Sequence, residues 1–129
     1  MPLRLSAPWD ITITPLDTCG LVKLDGERYR RLLARKDPIV ATIIENYRLW
    51  SRVMDAANGM AEKGSTVLFD TVAISLAIRQ DLCRMERLNI RVTDDGFTRI
   101  DDGGKAMSVA SALKDLEVYK DFLVNRLTG

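Results

Sequence analysis

The sequence predicts an α/β fold with few strands and about four helices, and three observations carry that prediction. β-Branched or apolar residues alternate with polar ones near the start (Ile11, Ile13) and again later (Leu88, Ile90, Val92), which is the period of a half-buried strand. Between them and at the end, apolar residues recur at steps of three and four, the period of an amphipathic helix. The resulting order is strand, three helices, two or three strands, helix, with no repeat, low-complexity stretch or long linker. A chain of 129 residues, 47% of them hydrophobic, is long enough for a real core, so residues 1–129 are expected to form a single domain.

The elements follow in order. Residues 10–15 form a strand that Pro15 ends, and Asp17-Thr18-Cys19-Gly20 turns the chain into the apolar stretch 21–24. Asp25 is placed to cap a helix running to Lys36, with Arg28, Arg31 and Arg35 on one face. With the total charge near neutral, that face is expected to be solvated rather than a phosphate site. Asp37-Pro38 opens the longest helix, with Ile39, Ile43, Tyr47, Trp50, Met54 and Ala57 as its apolar stripe and Asn58-Gly59 as its end. Such a stripe is usually core or interface, with a ligand-facing role for Tyr47 or Trp50 as the lesser alternative. A third helix is expected over 70–80. Residues 86–93 and 97–101 then form a hairpin around Asp94-Asp95-Gly96. A second turn, Asp101-Asp102-Gly103-Gly104, leads to a short strand in "AMSVASAL", and a helix over 115–127 closes the chain. The four aspartates match no EF-hand spacing and are expected to do ordinary turn chemistry. The arrangement leaves the strand at 10–15 without a sequence-adjacent partner.

Composition narrows the chemistry. Nineteen basic against 18 acidic residues give a net charge of +1, so no global field draws the chain to nucleic acid or an anionic membrane. No apolar run approaches the roughly 18 residues of a membrane span. The opening residues lack the apolar core of a secretion signal, so a cytoplasmic protein is expected. Two cysteines far apart, Cys19 and Cys83, fit free thiols in a reducing compartment. There is no histidine, which removes histidine bases and nucleophilic triads and leaves little with which to build a zinc site.

One stretch stands out chemically. In "STVLFDTVAIS" (65–75) a single carboxylate, Asp70, follows Phe69 within an otherwise uncharged run. A buried, unpaired carboxylate costs several kcal/mol. Asp70 must therefore lie at a surface, cap the helix or hold something.

Three stretches in this order resemble the C-terminal part of the inosine-uridine-preferring nucleoside hydrolases, a calcium-dependent N-ribohydrolase family. "ITITPLDTCGLVKL" is similar to that family's late strand and Leu-Asp-x-Thr-like turn. "FDTVAISLA" is similar to its His-Asp-Pro-Leu-Ala helix start. "LNIRVTDDGFTRID", with the following "AMSVASALKDLEVYKDFLVNRL", is similar to its closing strands and final helix. The resemblance spans nearly the whole chain and about the last two-fifths of a full family member.

The resemblance implies hydrolysis of the N-glycosidic bond of a ribonucleoside, with Asp70 as a metal ligand. A calcium ion there would hold the ribose hydroxyls and a water that becomes the nucleophile. Phe69 stands where many members carry a histidine that protonates the leaving base. A phenyl ring donates no proton, but it can stack on a purine, which makes Phe69 the base-stacking candidate. The family's N-terminal aspartate cluster and its ribose-binding loop have no counterpart in these residues. The chain is therefore expected to be a catalytically incomplete segment that does not bind calcium alone. The alternative is a non-catalytic, self-associating or partner-binding module of the same fold, and a homo-oligomer is expected. A glycosidase working with carboxylates alone is a third, weaker idea, because the sequence places no two carboxylates across a cleft.

Overall fold

A computed structural model describes residues 8–54 and 59–129. In chain order the first half holds β1 (Thr12–Ile13), α1 (Leu16–Cys19), β2 (Lys23–Asp25), α2 (Gly26–Leu33), α3 (Pro38–Met54) and α4 (Met60–Lys63). The second half holds β3 (Gly64–Val67), α5 (Phe69–Ile78), β4 (Cys83–Val92), β5 (Thr98–Ile100), β6 (Lys105–Leu113) and α6 (Leu116–Thr128). The fold is mixed α/β. Four helices exceed one or two turns, as the periodicity predicts.

The main sheet has the order β1-β6-β4-β5. Its centre is the antiparallel pair β4 and β6, in register from Cys83↔Leu113 to Ile90↔Lys105. A bulge between Arg84 and Met85 places the extra residue, Ser111, on β6. The expected hairpin forms β4 and β5, closed where Gly96, at φ 84°, takes the left-handed conformation that side chains resist. Asp95 and Asp101 act there as turn residues, their carboxylates accepting the Phe97 N–H at 3.4 Å and the Gly103 N–H at 2.7 Å. β1 finds its partner far along the chain. It pairs parallel with β6, Thr12↔Ser108 and Ile13↔Val109.

β2 and β3 form a separate antiparallel pair. Alternation in 64–67 is too short to announce β3, which depends on β2 for its hydrogen bonds. Ser65 Oγ ties the two further by accepting the Leu24 N–H at 2.8 Å. α1 replaces the expected turn at 17–20 with one helical turn, in which the Thr18 and Cys19 N–H groups donate to the Pro15 carbonyl at 3.0 and 3.1 Å. Two buried clusters make up most of the core. One gathers Cys19, Val22, Val72, Leu76, Cys83, Ala110 and Tyr119 between the sheet, α5 and α6. The other gathers Leu24, Tyr29, Leu32, Val40, Ile44 and Val124 around α2 and α3. Leu68 and Leu123 pack against both and join them.

One sequence expectation is extended and another needs correction. The face with Arg28, Arg31 and Arg35 stays in contact with solvent, as expected, but Arg28 and Arg31 are also paired, because α6 presents Glu117, Asp121 and Asn125 at steps of four against them. Arg28 donates to Asp121 at 2.6 Å and Glu117 at 2.5 Å, and Arg31 donates to Asn125 at 2.9 Å. The buried stripe of α3 is turned by about one residue from the expected one, roughly 100° around the helix. Val40, Ile44 and Ser51 are buried, while Ile39 is 71% exposed and Met54 65%. The adjacent pairs Ile39-Val40 and Ile43-Ile44 make both stripes apolar, and packing against Tyr29 and Leu32 decides between them. Ala57 and Asn58 lie outside the described residues. The start of α3 is as expected, with Asp37 Oδ1 accepting the Ile39 N–H at 2.9 Å. Among the described residues no helix is long and apolar enough to cross a membrane.

Candidate functional site

Two of the segments singled out by the resemblance pack together, α1, which follows β1, and the start of α5. Parallel strands deliver loops and helix starts to their carboxyl ends, where α/β folds bind their ligands. Pro15 stops the strand, α1 follows at once, and α1 packs beside the first turn of α5. Thr18, fully buried, fixes α1 to the sheet by donating from Oγ1 to the Ala110 carbonyl at 2.8 Å. Leu68 fixes the start of α5, its N–H donating to the Val22 carbonyl at 2.8 Å. The Phe69 ring then reaches Gly20, where an added Cβ would lie 3.8 Å from Cε1. Thr14 Oγ1, at the same end of β1, is buried without a hydrogen-bond partner among the described residues.

Asp70 is exposed in the first turn of α5 and is not its cap. The helix begins one residue earlier than the sequence predicts, with Leu68 at the cap position and no side-chain capping bond. Leu68 belongs to the packing of both core clusters, so burial fixes an apolar residue at the position where a carboxylate would otherwise serve. Its carbonyl is taken by Thr71, whose Oγ1 donates to it at 2.6 Å. The carboxylate of Asp70 is therefore left free of capping duty, at the positive end of the helix dipole. Phe69 is 44% exposed beside it. Among the described residues no three acidic or cysteine side chains gather into a metal-binding group.

A second feature was not legible in the sequence. An apolar cleft of about 570 Å³ opens between α3 on one side and α5 with α6 on the other. Ile43, Tyr47 and Trp50 form the first wall, and Ile74, Ile78 and Phe122 the second. The α3 stripe that the sequence assigns to core or interface thus faces the cleft in part. The rings of Tyr47 and Trp50 are stacked, with centroids 5.5 Å apart and planes 11° from parallel.

The hydroxyl groups that line the cleft are committed to the protein, whereas Asn46 and Arg126, both exposed, are not among the described residues. Tyr29 donates to the Ala61 carbonyl at 2.6 Å, and burial pushes its phenol up to about 12. Tyr47 Oη accepts the Thr66 N–H at 2.5 Å, and Ser75 Oγ donates to the Val72 carbonyl at 2.8 Å while accepting from Tyr119. Arg48 clamps α3 to α4 by donating to Glu62 at 2.6 Å, which holds the Glu62 carboxyl below its usual range. Phe69 and Asp70 do not line the cleft.

The chain matches no protein-family model and no curated protein.

Both features use α5: Phe69 lies on the side away from the cleft, and Asp70 stands one turn before Ile74, at the margin of the cleft face. Thr71, Ile74, Ser75 and Ile78 face the cleft at helical spacing, whereas Asp70 lies outside that set. Asp70 offers an exposed carboxylate next in sequence to a partly exposed aromatic residue. The cleft offers mostly apolar surface, with Asn46 and Arg126 among its lining residues.

Proposed function

We propose that this chain is the C-terminal segment of a nucleoside hydrolase-like protein, which cleaves the N-glycosidic bond of ribonucleosides. Its support is the adjacency just described: two stretches that resemble the family's Leu-Asp-x-Thr turn and its Asp-bearing helix start are about 50 residues apart in sequence, yet α1 and α5 pack side by side at one strand end. In this reading Asp70 contributes one oxygen to a metal site completed by residues upstream of these, and Phe69 forms a wall for the base. The ion, when bound, would hold the ribose hydroxyls and activate a water. The chain's own residues position and stack. Thr18 and Leu68 hold the two segments in place, and the Phe69 ring gives the leaving base an aromatic face in place of a proton donor.

The test is the intact mass of the native gene product, followed by assay. A mass more than twice the 14.5 kDa of this chain, with calcium-dependent release of base from inosine or uridine that Asp70→Ala abolishes, is the expected result. A 14.5 kDa product that neither calcium nor ribose stabilises against heat would rule the reading out.

A second reading, a self-associating or partner-binding module, is favoured by one observation. Apolar side chains stand in solvent on two helices: Ile39, Val53 and Met54 of α3, and Ile74 and Ile78 of α5, each more than half exposed. Sedimentation over a hundredfold concentration range tests it, and a monomer throughout excludes self-association.

A further inference from the structure

We propose that the cleft between α3, α5 and α6 binds a small amphipathic anion, an apolar chain with a single carboxylate head, and that Arg126 receives the head. The inference is independent of the hydrolase reading, because the cleft and the Asp70 surface share no lining residue.

Volume is the first argument. About 570 Å³ lies within the roughly 300–1,000 Å³ of ordinary small-molecule sites. Polarity is the second. Tyr29, Tyr47, Ser65 and Ser75, as well as Thr71, spend their hydroxyls on backbone carbonyls, N–H groups and one another. Apart from the amide of Asn46, which is exposed, a guest that brought hydrogen-bonding groups along the body of the cleft would find them unanswered, at a cost in desolvation. The occupant must therefore be apolar along its body.

Charge is the third argument and selects the head. Among the described residues, Arg126 is the only one lining the cleft that carries a full charge, and no carboxylate lines it. Arg126 is exposed in the last turn of α6 and makes no hydrogen bond or ion pair among the described residues. The contrast with its neighbours is informative. Arg28 and Arg31 are engaged across α2 and α6, Arg48 is held by Glu62, and Arg79 is held by Asp81 over the ring of Phe122. An unengaged planar fork at the mouth of an apolar cleft matches one carboxylate, which it can hold through two parallel bonds. A cationic head would be repelled by it, and a neutral head would accept at most a single, weaker hydrogen bond.

Trp50 reports on the cleft directly, since it lines the wall, and the chain's other tryptophan, Trp9, does not. The experiment titrates the Trp9→Phe chain with decanoate below its micellar range, following Trp50 emission, and repeats the titration with decanol and decyltrimethylammonium. Saturable one-to-one binding of decanoate is expected, with decanol and the cation about tenfold or more weaker. Arg126→Gln should bring decanoate down to the decanol level without altering the urea midpoint. Ile74→Glu, at a 64% exposed position where folding is not at stake, should abolish binding of all three.

Equal affinity for the three heads, or no effect of Arg126→Gln, would overturn the assignment of the anion. So would Trp50 emission that shifts with protein concentration alone, because a second copy would then be the occupant. No saturable change with any probe would overturn the site itself.

Discussion

Thr18 and Ala110 are 92 residues apart and are joined by a buried hydrogen bond of 2.8 Å from the threonine hydroxyl to the alanine carbonyl. Both residues are fully buried, so water cannot replace either partner. The bond fixes α1 on β6 and thereby sets where Asp17, Gly20 and the Phe69 ring lie.

Thr18→Val keeps the shape and removes the donor, leaving the Ala110 carbonyl unsatisfied. It should destabilise the chain by about 1–3 kcal/mol in urea unfolding, while Thr18→Ser should cost much less. Equal losses for the two variants would mean that the methyl group, not the hydroxyl, matters there.

Gly20 is demanded by space rather than by conformation. Its backbone is right-handed, with φ −67° and ψ −10°, but an added Cβ would lie 2.5 Å from the Leu16 carbonyl oxygen and 3.8 Å from the Phe69 ring. Gly20→Ala should therefore cost about 1–3 kcal/mol as α1 shifts to relieve the contact. Retention of wild-type stability would show that α1 yields freely and does not hold Phe69 in place.

The α2–α6 contact predicts an acid dependence. Arg28 holds the Asp121 carboxyl below its usual range, and Lys120 and then Arg28 do the same for Glu117. A carboxylate whose folded value is depressed contributes stability above its unfolded value, near pH 4, and loses it as pH falls through the lower folded value. The gap in urea midpoint between wild type and Arg28→Gln should thus be constant from about pH 5 to 7 and close below about pH 4. A gap unchanged down to pH 2.5 would mean that Arg28 acts through its packing alone.

How much of this was legible in the sequence differs from element to element. The β4–β5 hairpin was, because Leu88, Ile90 and Val92 alternate around an Asp-Gly turn. The start of β4 at Cys83 was not, because its apolar positions change parity between Met85 and Leu88, across the charged pair Glu86-Arg87. β3 was missed because four residues beginning with glycine carry no period of their own. For α3 the period was correct and the face was not, since two neighbouring apolar stripes differ only in what packs on them. At the candidate site the sequence singled out Phe69 and Asp70, and the structure brings their segment against the Thr18 turn. The cleft was hidden because its residues come from six elements and its distinguishing property, hydroxyl groups already satisfied, exists only after folding.

The parallel pairing of β1 with β6 also sets the order of events during synthesis. β1 leaves the ribosome before its partner residues Ser108 and Val109, which follow roughly a hundred residues later. At about 5–20 residues per second that is a wait of roughly 5–20 s. The helices α2, α3 and α5 can form meanwhile, but the strand end carrying α1 has no sheet to rest on. The nascent chain therefore holds β1 as an unpaired edge until β6 has emerged, and over that interval the edge is open to wrong partners.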